Sequence, residues 1–261
     1  MMHVTYTPAQ KAKGILEDLE ITDTPASHLE NIAKGQGIKV ICKSLPNDPK
    51  LSGALLFRGE KRGILINTYI NNAGRINFTF AHELGHHFLA HIPTLYLDGQ
   101  QGFRCDNSDM EEAISMRRQE IEANVFAKEF LMPEHMFRIL MAGSVLDFTL
   151  ISSLADHFLV SKHASAFRIL DFTREPYIVV LSQKLTITSA KCAVSARRYK
   201  MPSATIPVGT FAYDVITINK HQDSFVQTNI KNWFPSASAS RKLYEWTRGT
   251  GKVAMTLLKV E

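Results

Sequence analysis

Apolar residues recur at helical spacing along much of the first half of the chain, interrupted by short runs rich in strand-forming residues. Ser108 and Glu111 have the spacing of a capping box, and Pro133 ends the helical pattern that follows them. This mixture predicts an α+β domain over residues 1–145. The predicted helices cover residues 8–20, 26–35, 72–91, 109–131 and 133–142; strands cover 38–43, 53–58 and 63–67; residues 93–108 form a loop.

The pattern changes after residue 145. Apolar positions in 150–170 predict two short helices separated by a turn at Val160, so a helix-turn-helix segment is assigned to residues 146–175. If this segment bound DNA, residues at the start of the second helix would contact the DNA. The start of this second helix has one permanent positive charge, whereas DNA binding usually needs several phosphate contacts. The four residues concerned are Ser161, Lys162, His163 and Ser165.

Residues 176–261 are predicted to form a mixed α/β domain with strands near 177–181, 185–188, 211–218 and 253–258. The domain has 12 Lys and Arg against 4 Asp and Glu, a net charge of +8, while residues 1–175 have 18 against 21. Such asymmetry indicates an anionic partner for this part, and its aromatic residues could stack on bases. A solvated basic surface over an aromatic core is the favoured alternative. The aromatic residues are Trp233, Phe234, Tyr244 and Trp246, and the cations among them are Lys231, Arg241, Lys242 and Arg248.

The lengths of the apolar runs and the number of cysteines indicate in which cellular compartment the protein is expected. The sequence has no run of 18 apolar residues and no basic and apolar segment typical of a secretion signal at its start, which predicts a soluble protein without a membrane partner. Cys42, Cys105 and Cys192 are isolated and odd in number, as expected of reduced thiols in a cytosol. We therefore expect a cytoplasmic protein.

The strongest chemical signal is His82-Glu83-x-x-His86. On a helix, positions i and i+4 share a face, so both imidazoles can bind one metal ion, and neutral imidazole is a good zinc ligand. Glu83 is then placed to hold and deprotonate a water at the metal. A polar helix with solvent-facing histidines is the ordinary alternative, and the context of the motif argues against it.

The context is the second helical pattern, in which Glu120 and Asn124 are four residues apart. A carboxylate from this helix would complete a two-His, one-Glu site that leaves a fourth position to water. Asn124 could accept a ring N–H from a ligand histidine and so orient it. Glu122 is a rival third ligand, and because it lies about 200° around the helix from Glu120, only one of the two can face the metal.

The remaining histidines have no ligand spacing. His87 and His91 follow the motif, but Leu89 and Ile92 occupy the places where a third-His zinc site needs Gly and His. We expect both to lie on the helix surface or behind the metal ligands. Tyr96, in the predicted rim loop, is a candidate group to stabilise the oxyanion.

Two of these patterns together resemble the ImmA/IrrE family of metallopeptidases. They are Arg75-x-x-Phe-Thr-x-Ala-His-Glu-x-Gly-His86 and Glu120-x-x-Ala-Asn-x-Phe-Ala-x-x-Phe-Leu-Met-Pro133, with Phe130 where the family usually has Leu. The resemblance implies a zincin-like metallopeptidase domain and favours Glu120 over Glu122 as third ligand. It also implies that the helix-turn-helix segment packs against the protease domain, and that the C-terminal domain is sensor-like, related to the GAF fold.

The predicted function is that of a zinc-dependent endopeptidase with Glu83 as catalytic base and His82, His86 and Glu120 as metal ligands. Mn²⁺ or Fe²⁺ can occupy the same residues, depending on supply. The resemblance implies that the partner is a helix-turn-helix transcriptional repressor, cleaved to induce stress, DNA-damage or mobile-element genes. We expect the run 51–57 to form a sheet edge that pairs with the substrate.

Two other classes of function stay open. One is a DNA-binding transcriptional regulator that uses the helix-turn-helix segment and the basic C-terminal part, although DNA binding is not the favoured prediction. The other is a ligand-gated sensor whose C-terminal domain controls a latent protease.

Overall fold

The computed structural model describes residues 6–69, 72–93, 95–97, 100–106, 114–199 and 204–261. The chain divides into two compact units. The first comprises residues 1–142 with 152–161, and the second comprises 143–151 with 162–261. The expected domain limits at 145 and 175 stay predictions.

The first unit contains the predicted α+β elements. The Thr7 side chain and Gln10 form a reciprocal capping box at the start of the first helix, and Asn72 caps the third by accepting from the Arg75 amide. A 3₁₀ turn, Pro25–His28, precedes the second helix. The helices are α1 (Pro8–Asp18), α2 (Leu29–Gly35), α3 (Ala73–Phe88), α4 (Ile114–Leu131) and α5 (Glu134–Met141), and the strands are β1 (Ile38–Lys43), β2 (Leu51–Arg58), β3 (Lys61–Asn67), β4 (Leu95–Leu97) and β5 (Gln100–Asp106).

These strands form one sheet in the order β1-β3-β2-β5-β4, in which only β1 and β3 are parallel. Strand β2 pairs with β3 on one side and β5 on the other, so the expectation that 51–57 form a sheet edge is wrong. The loop prediction for 93–108 is wrong over β4 and β5. In this segment, Gly102 and the charged residues interrupt the alternation of apolar and polar residues that would indicate a strand. The capping box predicted at Ser108 and Glu111 lies outside the described residues.

Close packing of α3 against the sheet and against α4 determines where the motif residues lie. A Cβ built on Gly53 of β2 would lie 2.5 Å from Thr79 Cγ2 of α3, and one on Gly85 of α3 would lie 3.3 Å from the Ala123 backbone of α4. A Cβ at Gly53 would force its neighbour to move, and a Cβ at Gly85 would make a contact tighter than most Cβ atoms have. Phe126 and Phe130 of α4 are fully buried, and their rings stack on each other. This packing gives a place to Phe130, where the family pattern has Leu.

The second unit is built on one antiparallel sheet in the order β7-β6-β10-β9-β8. The predicted strands at 177–181, 185–188 and 253–258 are confirmed in β6, β7 and β10. The unit has a 3₁₀ turn, Val194–Ala196. Its elements are α7 (Lys162–Phe172), β6 (Tyr177–Gln183), β7 (Thr186–Cys192), α8 (Phe211–Ile218), β8 (Val226–Thr228), α9 (Ile230–Trp233), β9 (Leu243–Gly249) and β10 (Val253–Val260), and α6 (Phe148–Phe158) has residues in both units. The GAF-like assignment stays a prediction.

The strand predicted at 211–218 is wrong, because this segment forms α8. Its β-branched residues suggested a strand, but Thr210 caps the helix start and Asn219 ends it in the left-handed conformation. The buried Glu245 side chain also accepts a hydrogen bond from the Ala212 amide in its first turn. Local capping and one long-range partner therefore override strand propensity.

The aromatic residues of the C-terminal part lie mainly in its core. Trp233 is fully buried, and Phe234 and Trp246 are 2% and 7% exposed. The favoured alternative of an aromatic core is confirmed for these three side chains, and base stacking by them is wrong. Strand β9, which includes Tyr244 and Trp246, lies outside the predicted strands because its charged residues interrupt the apolar alternation.

The two helices predicted within 146–175 are present as α6 and α7. Ser165 is fully buried and its hydroxyl donates to the Ile151 carbonyl, so a DNA contact by Ser165 is wrong. Lys162 and His163 are exposed. Whether the pair is a DNA-binding helix-turn-helix stays a prediction. None of the helices in the described part of the chain is both long and apolar enough to span a bilayer.

Candidate metal centre

The two motif histidines lie one turn apart on the buried face of α3. His82 and His86 are each 1% exposed, and their Nε2 atoms are 3.0 Å apart. Because positions i and i+4 of a helix share a face, the spacing alone brings the rings together. The remaining donors come from elsewhere in the fold.

Helix α4 brings Glu120 against both rings. Its Oε2 atom lies 2.9 Å from His82 Nε2, and its Oε1 atom lies 3.2 Å from His86 Nε2. Four tetrahedral ligands at about 2.0–2.1 Å from one zinc lie roughly 3.3 Å apart. The three donor separations are close to that value, so the residues present fit a divalent metal ion. Together they form a possible metal site in the described part of the chain.

The protonation states of two donors suit metal binding. Burial, reinforced by neighbouring His82 and His91, lowers the pKa of His86 to about 4, although Glu120 acts in the opposite direction. Burial opposes the charged form of Glu120, but hydrogen bonds from both histidines outweigh it and lower its pKa to about 2. A neutral imidazole and an ionised carboxylate are the forms that coordinate metals.

His82 differs from His86 because its stronger interactions with carboxylates outweigh burial. Burial lowers its pKa, but Glu120, Glu83 and Asn124 together raise it. The Asn124 Oδ1 atom lies 3.0 Å from His82 Nδ1, which confirms the contact expected for that asparagine. With Nδ1–H donating to Asn124, Nε2 is the nitrogen that a neutral His82 has left to bind a metal ion.

Glu83 lies on the sheet side of α3, where β2 covers it. Its side chain is fully buried, and neither carboxylate oxygen has a hydrogen-bond partner among the described residues. Burial raises its pKa to about 8; His82 and the nearby Leu55 amide oppose this in part. A buried carboxyl without a protein partner is costly, so it is expected to serve a ligand or water.

Glu122 does not reach the three donors. It lies 3.2 Å from His91 Nε2, while His91 Nδ1 lies 3.0 Å from His86 Nδ1. Arg118 holds the other Glu122 oxygen at 2.8 Å. His91 thus lies behind His86, which is one of the two positions expected for it, the other being the helix surface. Glu122 in turn lies behind His91. The geometry favours Glu120 as the metal ligand.

Two residues of β5 lie beside the donors, and the sequence patterns do not predict them there. The Phe103 ring stacks on His86 at 4.0 Å between centroids, and Cys105 lies close to His82 and Glu83. The alternation of residues along 101–105 is a sequence signal for a strand, but the loop prediction for 93–108 conceals it.

Tyr96 belongs to β4, and its side chain lies outside the described residues. His87 faces Arg62 on the surface.

Comparisons with known proteins agree with this geometry. A family profile described as IrrE N-terminal-like domain, a peptidase family, matches residues 33–170, which include the donors and Glu83. A solved Mycobacterium tuberculosis transcriptional regulator is 16% identical, with a TM-score of 0.57 over 96% of this chain and 74% of that one; this likeness shows the fold alone. No curated protein matches the chain. Because the profile covers more than half of the sequence, the chain belongs to the IrrE N-terminal-like family of metallopeptidases.

Proposed function

We propose that the protein is a zinc-dependent endopeptidase that binds its metal through His82, His86 and Glu120. The convergence of these three donors beside a buried, unpartnered Glu83 supports the proposal. A zinc ion held there would act as a Lewis acid toward the scissile carbonyl and lower the pKa of water toward ~7. Mn²⁺ or Fe²⁺ can use the same donors.

Glu83 is the residue that moves the proton. Its carboxylate would take a proton from the attacking water and deliver it to the nitrogen of the departing amine. Burial raises the pKa of this carboxyl to about 8 in the metal-free protein, which favours holding the proton between these two steps. A bound cation would lower that pKa and restore the basic form that the first step needs.

The other residues position and enclose the metal ligands. Asn124 holds His82, His91 holds His86 from behind, and Phe103 covers the His86 ring. Fixed rings keep their Nε2 atoms directed at one point, and the apolar cover limits access of water. These contacts leave Glu83 as the buried acid–base group beside the donors.

We propose a helix-turn-helix transcriptional repressor as the substrate, on the resemblance to the ImmA/IrrE family. The interior position of β2 means that the strand itself cannot receive a substrate. In the described sheet, β4 is the edge strand next to β5, and its backbone is the surface to which an extended cleavage segment could add. Pairing of this kind requires an exposed segment, so well-folded proteins would be spared.

The test uses the 261-residue chain, loaded with zinc or manganese, and any helix-turn-helix repressor found encoded beside its gene. Mass spectrometry should show cleavage of the repressor at one exposed site and negligible digestion of casein. The Glu83→Gln protein, equally loaded with metal, is the control and should leave the repressor intact. Broad digestion of unrelated proteins, or an intact repressor with the metal-loaded wild type, would contradict the substrate proposal.

A DNA-binding regulator is the second candidate function, since residues 176–261 have 12 Lys and Arg against 4 Asp and Glu and Lys162 is exposed at the start of α7. Binding through phosphate contacts would weaken steeply with salt. A salt-dependent mobility shift on promoter DNA that Glu83→Gln leaves unchanged would support this function. Absence of a shift at low salt would exclude it.

A further inference from the structure

Cys105 lies beside the metal centre, and the proposed reaction does not use it. Its Sγ atom, a ring nitrogen of His82 and a carboxylate oxygen of Glu83 all lie within 4.8 Å of one another. His82 also belongs to the donor set with His86 and Glu120. The thiol therefore lies on the Glu83 side of a proposed metal ligand, where the hydrolytic water would be held.

The pairing of β5 with β2 explains this position. Cys105 is opposite Gly53, and cross-strand neighbours direct their side chains to the same face. That face is the one toward α3, because a Cβ on Gly53 would meet Thr79 and would lie 3.5 Å from Glu83 Oε1. Two residues before Cys105, Phe103 stacks on His86, which agrees with the two-residue alternation of a strand.

The buried Glu83 carboxylate is a second, independent indication that something binds at this point. It has no hydrogen-bond partner among the described residues although it is fully buried. A cation bound to His82, close to Glu83 and Cys105, would compensate this buried acid. Imidazole and thiolate are also typical ligands of zinc, with Zn–N and Zn–S bonds of about 2.0–2.1 and 2.3 Å.

We propose that Cys105 supplies a sulfur ligand to the metal in the resting protein, in the position that water needs for catalysis. This inference rests on the metal site of the proposed function. On binding, the S–H bond breaks, the proton passes to solvent, and a sulfur electron pair forms the metal–sulfur bond. No electron transfer and no further reactant are required.

Two consequences follow from a sulfur ligand. A zinc site with four protein ligands has no open position, so the Cys105-bound form is latent and substrate or thiol modification must displace the sulfur. Thiolate also favours soft ions such as zinc over manganese, which prefers oxygen ligands. Cys105→Ser should therefore weaken zinc binding more than manganese binding, by about tenfold or more in zinc affinity, and should raise the initial rate of cleavage.

Cobalt absorption tests the inference without a substrate. The full-length protein is loaded with Co²⁺, whose visible d–d bands report binding and whose near-ultraviolet thiolate-to-cobalt band reports a sulfur ligand. We expect both signals in the wild type and in Cys42→Ser, a matched control because Cys42 is exposed on β1. Cys105→Ser should keep the d–d bands and lose the thiolate band, while His86→Ala should lose both.

Each other result has a distinct meaning. Cobalt bound in a His86-dependent way but without a thiolate band would overturn the role of Cys105 and leave the metal site standing. A thiolate band that survives Cys105→Ser would also overturn it. Failure of the wild type to bind cobalt would overturn this inference together with the proposed function.

Alkylation gives a second readout that survives poor folding of any variant. Iodoacetamide forms an S–C bond with a cysteine sulfur as the C–I bond breaks and iodide leaves. In the wild type, zinc should slow alkylation of Cys105 at least about tenfold relative to the metal-free protein and leave the rate at Cys42 unchanged. Equal rates at Cys105 with and without bound zinc would contradict the inference.

Discussion

The Oδ1 atom of Asn124 on α4 lies 3.0 Å from the Nδ1 atom of His82 on α3. This contact joins the two helical motifs through their side chains and orients the imidazole so that Nε2 faces Glu120, 2.9 Å away. Helix α4 thus contributes both a candidate ligand and the group that positions another ligand. The contact therefore links the packing of the two helices to metal affinity.

Replacement of Asn124 tests this positioning. Asn124→Ala should lower zinc affinity about 10- to 100-fold, because loss of a partner behind a ligand histidine releases the ring. Asn124→Asp retains an acceptor of similar size and should restore most of the affinity. Competition with a fluorescent zinc chelator measures both variants, and unchanged affinity in Asn124→Ala would contradict the orienting role.

Glu120 and Glu122 form a matched pair for the third ligand. Glu120→Ala removes the carboxylate that lies 2.9 and 3.2 Å from the two Nε2 atoms, so stoichiometric zinc binding should be lost. Glu122→Ala removes contacts with His91 and Arg118 but none with the three donors, and should bind zinc with an affinity lowered by no more than about tenfold. Zinc content by atomic emission after dialysis distinguishes them, and the reverse order would transfer the ligand role to Glu122.

Glu83→Gln separates metal binding from catalysis. The amide has nearly the same shape but cannot accept the proton of water, so cleavage should fall by at least about 100-fold while zinc stays bound. Loss of the buried acid should not destabilise the fold. Cleavage of the repressor, zinc content and thermal unfolding are measured on the same preparation; an active, metal-loaded variant would remove Glu83 from the mechanism.

Gly85 tests whether the α3–α4 approach determines the site. A Cβ there would lie 3.1 Å from Phe126 and 3.3 Å from the Ala123 backbone, so Gly85→Ala should push α4 away and separate Glu120 from the histidines. We expect a loss of roughly 1–3 kcal/mol in unfolding free energy and weaker zinc binding. Gly14→Ala is the control, because nothing lies within 4 Å of a Cβ at Gly14 of α1. Equal zinc affinity in the two variants would show that the approach is not critical.

Glu245 gives the second unit a defined pH dependence. Burial raises the pKa of its carboxyl, although hydrogen bonds from Trp233 and the Ala212 amide oppose this. Between the ordinary pKa of 4.5 and the higher pKa of the folded protein, Glu245 therefore keeps its proton in the folded form and loses it in the unfolded chain. Its contribution to stability is fully present below that pH and is lost as pH rises through the folded pKa.

Tryptophan fluorescence measures this contribution, because both tryptophans of the protein, Trp233 and Trp246, lie in the second unit. The difference in unfolding free energy between the wild type and Glu245→Gln, which cannot ionise, should decrease as pH rises from about 4 toward neutrality. The sign of that slope is the test. A difference that grows with pH would mean that hydrogen bonding dominates burial at Glu245.

The local chemistry of this protein follows from its amino-acid sequence alone. Helical spacing alone puts His82 and His86 on one face, and it likewise puts Glu120 and Asn124 on one face of a second helix, since one α-helical turn is a local property of the backbone. Turn residues and caps located most helices and strands of the first unit. The membership of the chain in a peptidase family follows from the same segments.

Contacts between residues of different helices and strands depend on tertiary packing, which local patterns do not reveal. The choice between Glu120 and Glu122 depends on how α4 is rotated against α3, and Gly85 and Ala123 lie where the two helices approach closely. The interior place of β2 and the position of Cys105 depend on strand order, and strand pairing joins residues far apart in the sequence. The helix at 211–218 differs from the predicted strand for the same reason, because its stabilising partner Glu245 belongs to a strand that follows later in the chain.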